Sequence, residues 1–203
     1  MRPISRFYTP TGLNATGFSS NVTGATWPLT ATEVGDGLAH QVTIHGDAAT
    51  DHSLKTAVIT GSDADGRTQT ETVALPNGAT TVTSTKYFKV VTSVVPSATI
   101  GADTMDIGWN NLCATPTVVC DPYRKSPPRL TVTVTGTINF TGEECFENIL
   151  GEGVTPAFFA ITALTSKTAN TSGSSTGACI GLRVTTASFT AGATFTLLVS
   201  HLG

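Results

Sequence analysis

The sequence predicts an all-β protein made of antiparallel β-sandwich units, one large or two small, behind an extended N-terminal arm. Three observations carry that expectation. Threonine supplies about a fifth of the 203 residues, alongside 20 glycines and 10 prolines, a composition that favours strands and turns over helices. Short runs of alternating apolar and polar residues recur about every ten residues, divided by turn signals, as sandwiches require. Helical spacing occurs in one stretch, residues 142–150, through Cys145 and Ile149, and that stretch is long enough for a turn or two.

Taken in order, residues 1–36 show no period of 2 or 3.6, hold three prolines, and carry Phe7, Tyr8, Phe18 and Trp27 as scattered anchors. They read as an arm whose four aromatics dock on a neighbouring surface. Residues 37–110 form a first sandwich unit of consecutive hairpins. Its first strand is 39–44, with His40, Val42 and Ile44 on one face. The clearest hairpin spans 54–75, where Asp63, Ala64, Asp65 and Gly66 supply residues that tolerate positive φ or bond their own backbone. Pro76, Asn77 and Gly78 turn the chain again; strands at 80–83, 87–95 and 102–109 complete the unit, and Pro96 stops the second of them. Residues 111–128, with four prolines in 110–128, read as a linker or long loop. A second β unit occupies 129–203. It opens with one long strand, 129–140, in which Leu130, Val132, Val134 and Ile138 alternate with threonine. A buried strand at 158–164, a loose polar loop at 166–177 and a final strand pair, 178–188 and 193–201, follow.

Charge narrows the function classes. Only 12% of residues are charged, against about 25% in ordinary soluble domains, which suits a subunit packed into an assembly. Net charge is −3, and no basic cluster exceeds Arg124, Lys125 and Arg129, which argues against nucleic acid as a partner. No apolar run reaches the roughly 18 residues of a membrane span, and the N-terminal residues lack the apolar core of a secretory signal, so the expected site of synthesis is the cytoplasm. In that compartment Cys113, Cys120, Cys145 and Cys179 are expected as reduced, half-buried thiols; a bridge closing the 113–120 loop is the alternative.

No constellation reads as an active site, and neither a metal nor a cofactor is expected. Asp63, Asp65 and Gly66 resemble the start of a calcium loop, but placing Gly66 at its invariant glycine puts Thr72 where a bidentate glutamate belongs, so a plain turn is expected. His40, His45 and His52 crowd together, yet the odd spacing of the first two separates them across a strand, leaving surface or rim histidines. Glu143, Glu144 and Glu147 read as acids at the start of the short helical turn. No serine-nucleophile elbow is present.

The segment 38–109 resembles a stretch of tailed-bacteriophage virion structural proteins. There a strand of the type ITGTDADG is followed by TETV, a Pro-Asn or Gly-Asn turn, TVTSTKYFKTVTSV and a closing VGW; the matching pieces here are 59–66, 70–73, 76–78, 81–95 and 107–109, within about a third of the chain. The resemblance implies a non-enzymatic virion subunit, assembled in a host bacterial cytoplasm, on the capsid surface or in the neck or tail. Its partners would be other virion proteins and copies of itself in a symmetric array. Strand addition by residues 1–36 or by the loop 166–177 would supply the contacts, with Phe7, Tyr8, Phe18 and Trp27 as the partner-binding residues. A carbohydrate-binding receptor module is the alternative, and it requires an exposed aromatic cluster beside acid, amide or arginine side chains.

Overall fold

A computed structural model describes residues 3–121, 123, 126–149 and 156–201. Arg124, Lys125 and the end of the expected helical turn at Leu150 lie outside them. The protein is all-β, as its composition predicts, with no α-helix among the described residues. Its strands are β1 (Ile4–Tyr8), β2 (Asn14–Val22), β3 (Ala39–Gly46), β4 (Thr56–Ser62), β5 (Thr68–Ala74), β6 (Thr81–Phe88), β7 (Val90–Pro96), β8 (Met105–Ala114), β9 (Val118–Val119), β10 (Pro128–Thr135), β11 (Ile138–Cys145), β12 (Phe159–Ala160), β13 (Thr171–Ser174), β14 (Gly181–Phe189) and β15 (Thr194–His201). One 3-10 turn, Thr162–Leu164, lies between β12 and β13.

The chain divides into two compact units, one of Thr11–Cys113 and one of Met1–Pro10 with Ala114–Gly203. This division departs from the expected arm and linker. Residues 4–8 are not an arm but β1, paired with β15 from Ile4 opposite Val199 to Tyr8 opposite Phe195. Residues 14–22 are β2, paired irregularly with β8. The expected linker begins inside β8, which continues through Asn110 and Cys113 to Ala114.

In the unit of residues 11–113, the sheet β5-β4-β7 packs against β3, β6, β8 and β2. The hairpin expected at 54–75 forms as β4 and β5, with Thr56 opposite Ala74 through Ser62 opposite Thr68. Ala57 and Ile59 of β4 point inward and meet Val42 and Ile44 of β3, Met105 and Ile107 of β8, and Phe88, Val91 and Val94. The hairpins are not consecutive: β6 leaves the β4–β5 sheet and pairs with β3, and only Lys89 separates it from β7. Glycine makes two close approaches possible. A Cβ on Gly108 would lie 1.9 Å from the Asn14 carbonyl oxygen, and one on Gly61 would lie 2.0 Å from that of Val90.

The other unit has a four-stranded sheet, β1-β15-β10-β13, and a second sheet formed by β12-β11-β14 with β9 on β14. Eight register pairs, Pro128 opposite His201 through Thr135 opposite Thr194, join β10 to β15. Leu130, Val132, Phe195, Leu197 and Val199 are buried on the first sheet, and Ile138, Phe140, Leu182 and Val184 on the second. The bare α-carbon of Gly142 lets β11 close on Leu130 and Leu164. The long strand expected at 129–140 is in fact two, because Gly136 takes φ +81° and turns the chain into the other sheet. The expected buried strand at 158–164 reduces to the exposed pair Phe159–Ala160 followed by the 3-10 turn.

Candidate functional site

Of the four aromatics expected to bind a partner, the structure exposes one. Phe7 on β1 is 65% exposed. Tyr8 is buried against Phe195, ring centroids 5.3 Å apart. Phe18 is fully buried and meets Trp109 edge-on at 5.0 Å, and Trp27 belongs to the same core. The reason for the correction is long-range pairing: β1 and β2 belong to sheets, so their inward aromatics are core residues.

The tip of the β4–β5 hairpin is a turn. Asp63 Oδ1 accepts the backbone N–H groups of Asp65 and Arg67, each at 2.9 Å, and Arg67 Nη1 reaches Asp63 at 3.2 Å and Asp65 at 3.4 Å. Gly66 takes φ +85° with open space around its α-carbon, so Gly66→Ala carries backbone strain and no clash. It is expected to lower stability by about 1 kcal/mol, read by urea denaturation.

The three histidines go to three places, and two are not at the surface. His40 is fully buried; its Nε2 lies 2.9 Å from Asp36 Oδ2 and its Nδ1 3.2 Å from the Asn110 carbonyl oxygen. Burial pushes the Asp36 carboxyl up, but the His40 hydrogen bond and charge and the Thr11 and Leu38 N–H groups outweigh it and leave the carboxyl below its ordinary range. His45 meets Thr81 Oγ1 at 2.9 Å. His52 is buried between Asp103 Oδ2, 2.9 Å from its Nε2, and Lys55 Nζ, 3.2 Å from its Nδ1. Hydrogen bonds from Thr50 and His52 hold Asp103 below the usual carboxylate range. Among the described residues no three His, Cys, Asp or Glu side chains gather as metal ligands.

The acids 143 and 144 lie on a strand, not a helix. On β11 the period is two: Glu143 points outward and pairs with Arg183 Nε at 2.7 Å, while Glu144 points inward and is buried. Glu144 accepts the Ser175 hydroxyl at 2.5 Å, the Thr176 N–H at 2.9 Å and the Thr176 hydroxyl at 2.9 Å. Residues 166–177 are therefore not a loose loop. Thr171–Ser174 form β13 along β10, and a Cβ on Gly173 would meet Leu164 at 3.0 Å.

All four cysteines are buried thiols rather than half-buried ones. Cys113 lies on β8; the other three belong to the second unit, where burial pushes the Cys145 thiol up.

Strand edges differ between the units. In the first, Glu71 of β5 accepts the Thr85 and Lys86 N–H groups of β6 at 2.7 and 2.8 Å, and Gln69 Nε2 donates to the Tyr87 carbonyl at 2.6 Å. The flank of β7 is met by Thr32, whose carbonyl accepts the Val91 N–H at 2.7 Å. In the second, β1 and β13 are the terminal strands of their sheet, and Ser5, Arg6 and Phe7 are exposed. A separate exposed aromatic group lies on the other sheet: Phe146 and Phe159, 41% and 55% exposed, stand 6.4 Å apart, and Arg183 sits 3.6 Å over the Phe158 ring.

These features define an all-β protein of two antiparallel, sandwich-like units whose polar clusters tie strands to loops. Compared with family models and with curated proteins, the chain matches none.

Proposed function

We propose that the chain is a non-enzymatic structural subunit of a tailed-bacteriophage virion, on the capsid surface as a decorating or cementing protein or in the neck or tail. It binds other virion proteins through strand edges. The observation that carries this reading is the contrast in edges: side chains and backbone cover them in the unit of residues 11–113, whereas β1 and β13 end a sheet, with Phe7 exposed beside Arg6. Both segments singled out for strand addition thus add strands to their own chain, as the terminal strands of one sheet. The antiparallel order β1-β15-β10-β13 makes β1 and β13 run in opposite directions. One copy's β1 beside the next copy's β13 continues the alternation, a head-to-tail contact that closes into a ring where the rotation allows. The likeness of residues 38–109 to virion proteins, and the low surface charge, support the same reading.

Quantifying the chain against the major capsid protein in purified virions tests it. A decorating subunit is present in proportion to capsid protein, a neck or tail ring in a small symmetric multiple, and absence from the particle overturns the proposal. The double variant Arg6→Glu, Phe7→Asp should retain the melting midpoint of the isolated chain. Its affinity for the particle should fall about tenfold, roughly 1.4 kcal/mol of contact.

The receptor-module reading is favoured by one observation, the exposed Phe146 and Phe159 pair, with Arg183 over the ring of the neighbouring Phe158. Glycan-array binding that Phe159→Ala abolishes would establish it in place of the structural role.

A further inference from the structure

We propose that Cys120 and Cys179 are a latent disulfide, closed when the chain meets a small-molecule disulfide such as oxidised glutathione, and that the link clasps the segment after β9 to the segment before β14. The inference is independent of the virion reading.

Backbone pairing sets the two residues side by side. Val118 and Val119 of β9 lie opposite Leu182 and Gly181 of β14, and the ladder runs on as the Cys120 N–H donates to the Ile180 carbonyl at 2.8 Å. At the other end the Thr115 N–H donates to the Val184 carbonyl at 2.9 Å. Residues 115–120 are thereby pinned along 180–184, and Cys120 comes within one residue of Cys179. Cys179 leaves the regular strand, its own N–H donating to the Gly177 carbonyl at 2.9 Å. The two thiols come within interaction range of each other, and Cys120 Sγ also lies 3.7 Å from the Val118 carbonyl oxygen. Both residues are buried, at 2% and 0% exposure.

The other two thiols are placed differently. Cys145 adjoins the pair through its carbonyl, which accepts the Ile180 N–H at 2.8 Å, but its thiol turns to the Glu147 carbonyl oxygen at 3.8 Å. Cys113 belongs to the other unit. Within the pair, the interaction with Cys120 draws Cys179 below the ordinary thiol range, while Cys120 is pushed above it.

The chemistry balances as thiol–disulfide exchange. The Cys179 thiolate attacks one sulfur of oxidised glutathione, forming a mixed disulfide and expelling one glutathione thiolate. Cys120 then gives up its proton and attacks the Cys179 sulfur, expelling the second. The two protein thiols lose two electrons and two protons; oxidised glutathione takes them up as two molecules of reduced glutathione. Because both sulfurs are buried, exchange proceeds through local opening of the two-residue strand β9.

The test uses the full chain, unfolded and refolded once in oxidised glutathione, alkylated and mapped by peptide mass spectrometry. The expected product lacks two hydrogens, joins the peptides of Cys120 and Cys179, and carries alkyl groups on Cys113 and Cys145. Its melting midpoint should rise by about 5 °C, and reductant should reverse the change. Cys113→Ser should keep the link and the shift, and Cys120→Ser should lose both. Four alkylated thiols after refolding in the oxidant, or a bridge between any other pair, overturns the proposal; the wild-type map decides the matter even where a serine variant fails to fold.

Discussion

Asp36→Ala is expected to lower the unfolding free energy of the unit of residues 11–113 by about 3 kcal/mol. The Asp36 side chain is 4% exposed and its partner His40 is fully buried, so the truncation leaves a buried imidazole nitrogen without its partner. It also removes the acceptor of two backbone donors, Thr11 N–H at 2.8 Å and Leu38 N–H at 3.0 Å, which join the start of the unit to the turn before β3. Asp36→Asn keeps an oxygen and the shape and should cost less. Both tryptophans of the chain, Trp27 and Trp109, lie in this unit, so their fluorescence during urea denaturation reports this unit by itself. The acid limb offers a second check. The folded carboxyl titrates below its ordinary 3.8, so its stabilisation is present above that pH and disappears as pH falls through the lower folded value. Wild type should therefore lose stability on acidification below about pH 4, and Asp36→Asn should lose less. A cost under about 1 kcal/mol for Asp36→Ala would mean that water replaces the lost contacts and that the pair is not a buried one.

Where pattern and partner are both local, the fold was legible. The β4–β5 hairpin needs nothing beyond its own alternation and the Asp63-to-Gly66 turn, and its two strands pair where the hairpin is expected. The start of β3 and the alternation of β10 were readable for the same reason. Legibility ended where a residue's partner is remote. Ile4 lies opposite Val199, and nothing within residues 1–36 signals that pairing, so aromatics that serve as core read as those of an arm. Thr137 to Phe140 continue the alternation of β10 after Gly136 has turned the chain, which is why two strands read as one. Cys145 and Ile149 fit a helical period by coincidence, on a stretch whose first half alternates Gly142, Glu143 and Glu144 as a strand. One signal was available there: a strand that alternates into Glu144 places that carboxylate inside, and an inward carboxylate requires donors, which a run of serine and threonine such as 174–176 supplies. Asp36 had no such signal, because its His40 contact depends on how the 36–38 turn meets β3.

Glu144→Ala should cost about 3 kcal/mol, while Glu143→Ala, the adjacent residue, should cost about 0.5 kcal/mol. The two side chains differ in the face of β11 they occupy. The Glu143 carboxylate lies at the surface, 19% exposed, with Arg183 20% exposed, so water replaces much of what truncation removes. Glu144 is 2% exposed, and its loss removes the acceptor of three donors at once, the Ser175 hydroxyl, which keeps the Gly177 carbonyl at 2.9 Å, and the N–H and hydroxyl of Thr176. Those donors hold the turn between β13 and Cys179, so freeing them should also loosen the end strand β13. Tryptophan fluorescence does not report this unit, since neither tryptophan lies in it. Thiol alkylation in increasing urea does, because Cys120, Cys145 and Cys179 are buried there. Glu144→Ala should bring their labelling to lower urea, and Glu143→Ala should leave it nearly in place. Glu144→Gln should fall between, since its amide retains one acceptor oxygen but turns an N–H₂ group toward groups that themselves donate. Equal costs for the two alanine variants would show that Glu144 is solvated and that the turn is held by β13 pairing alone.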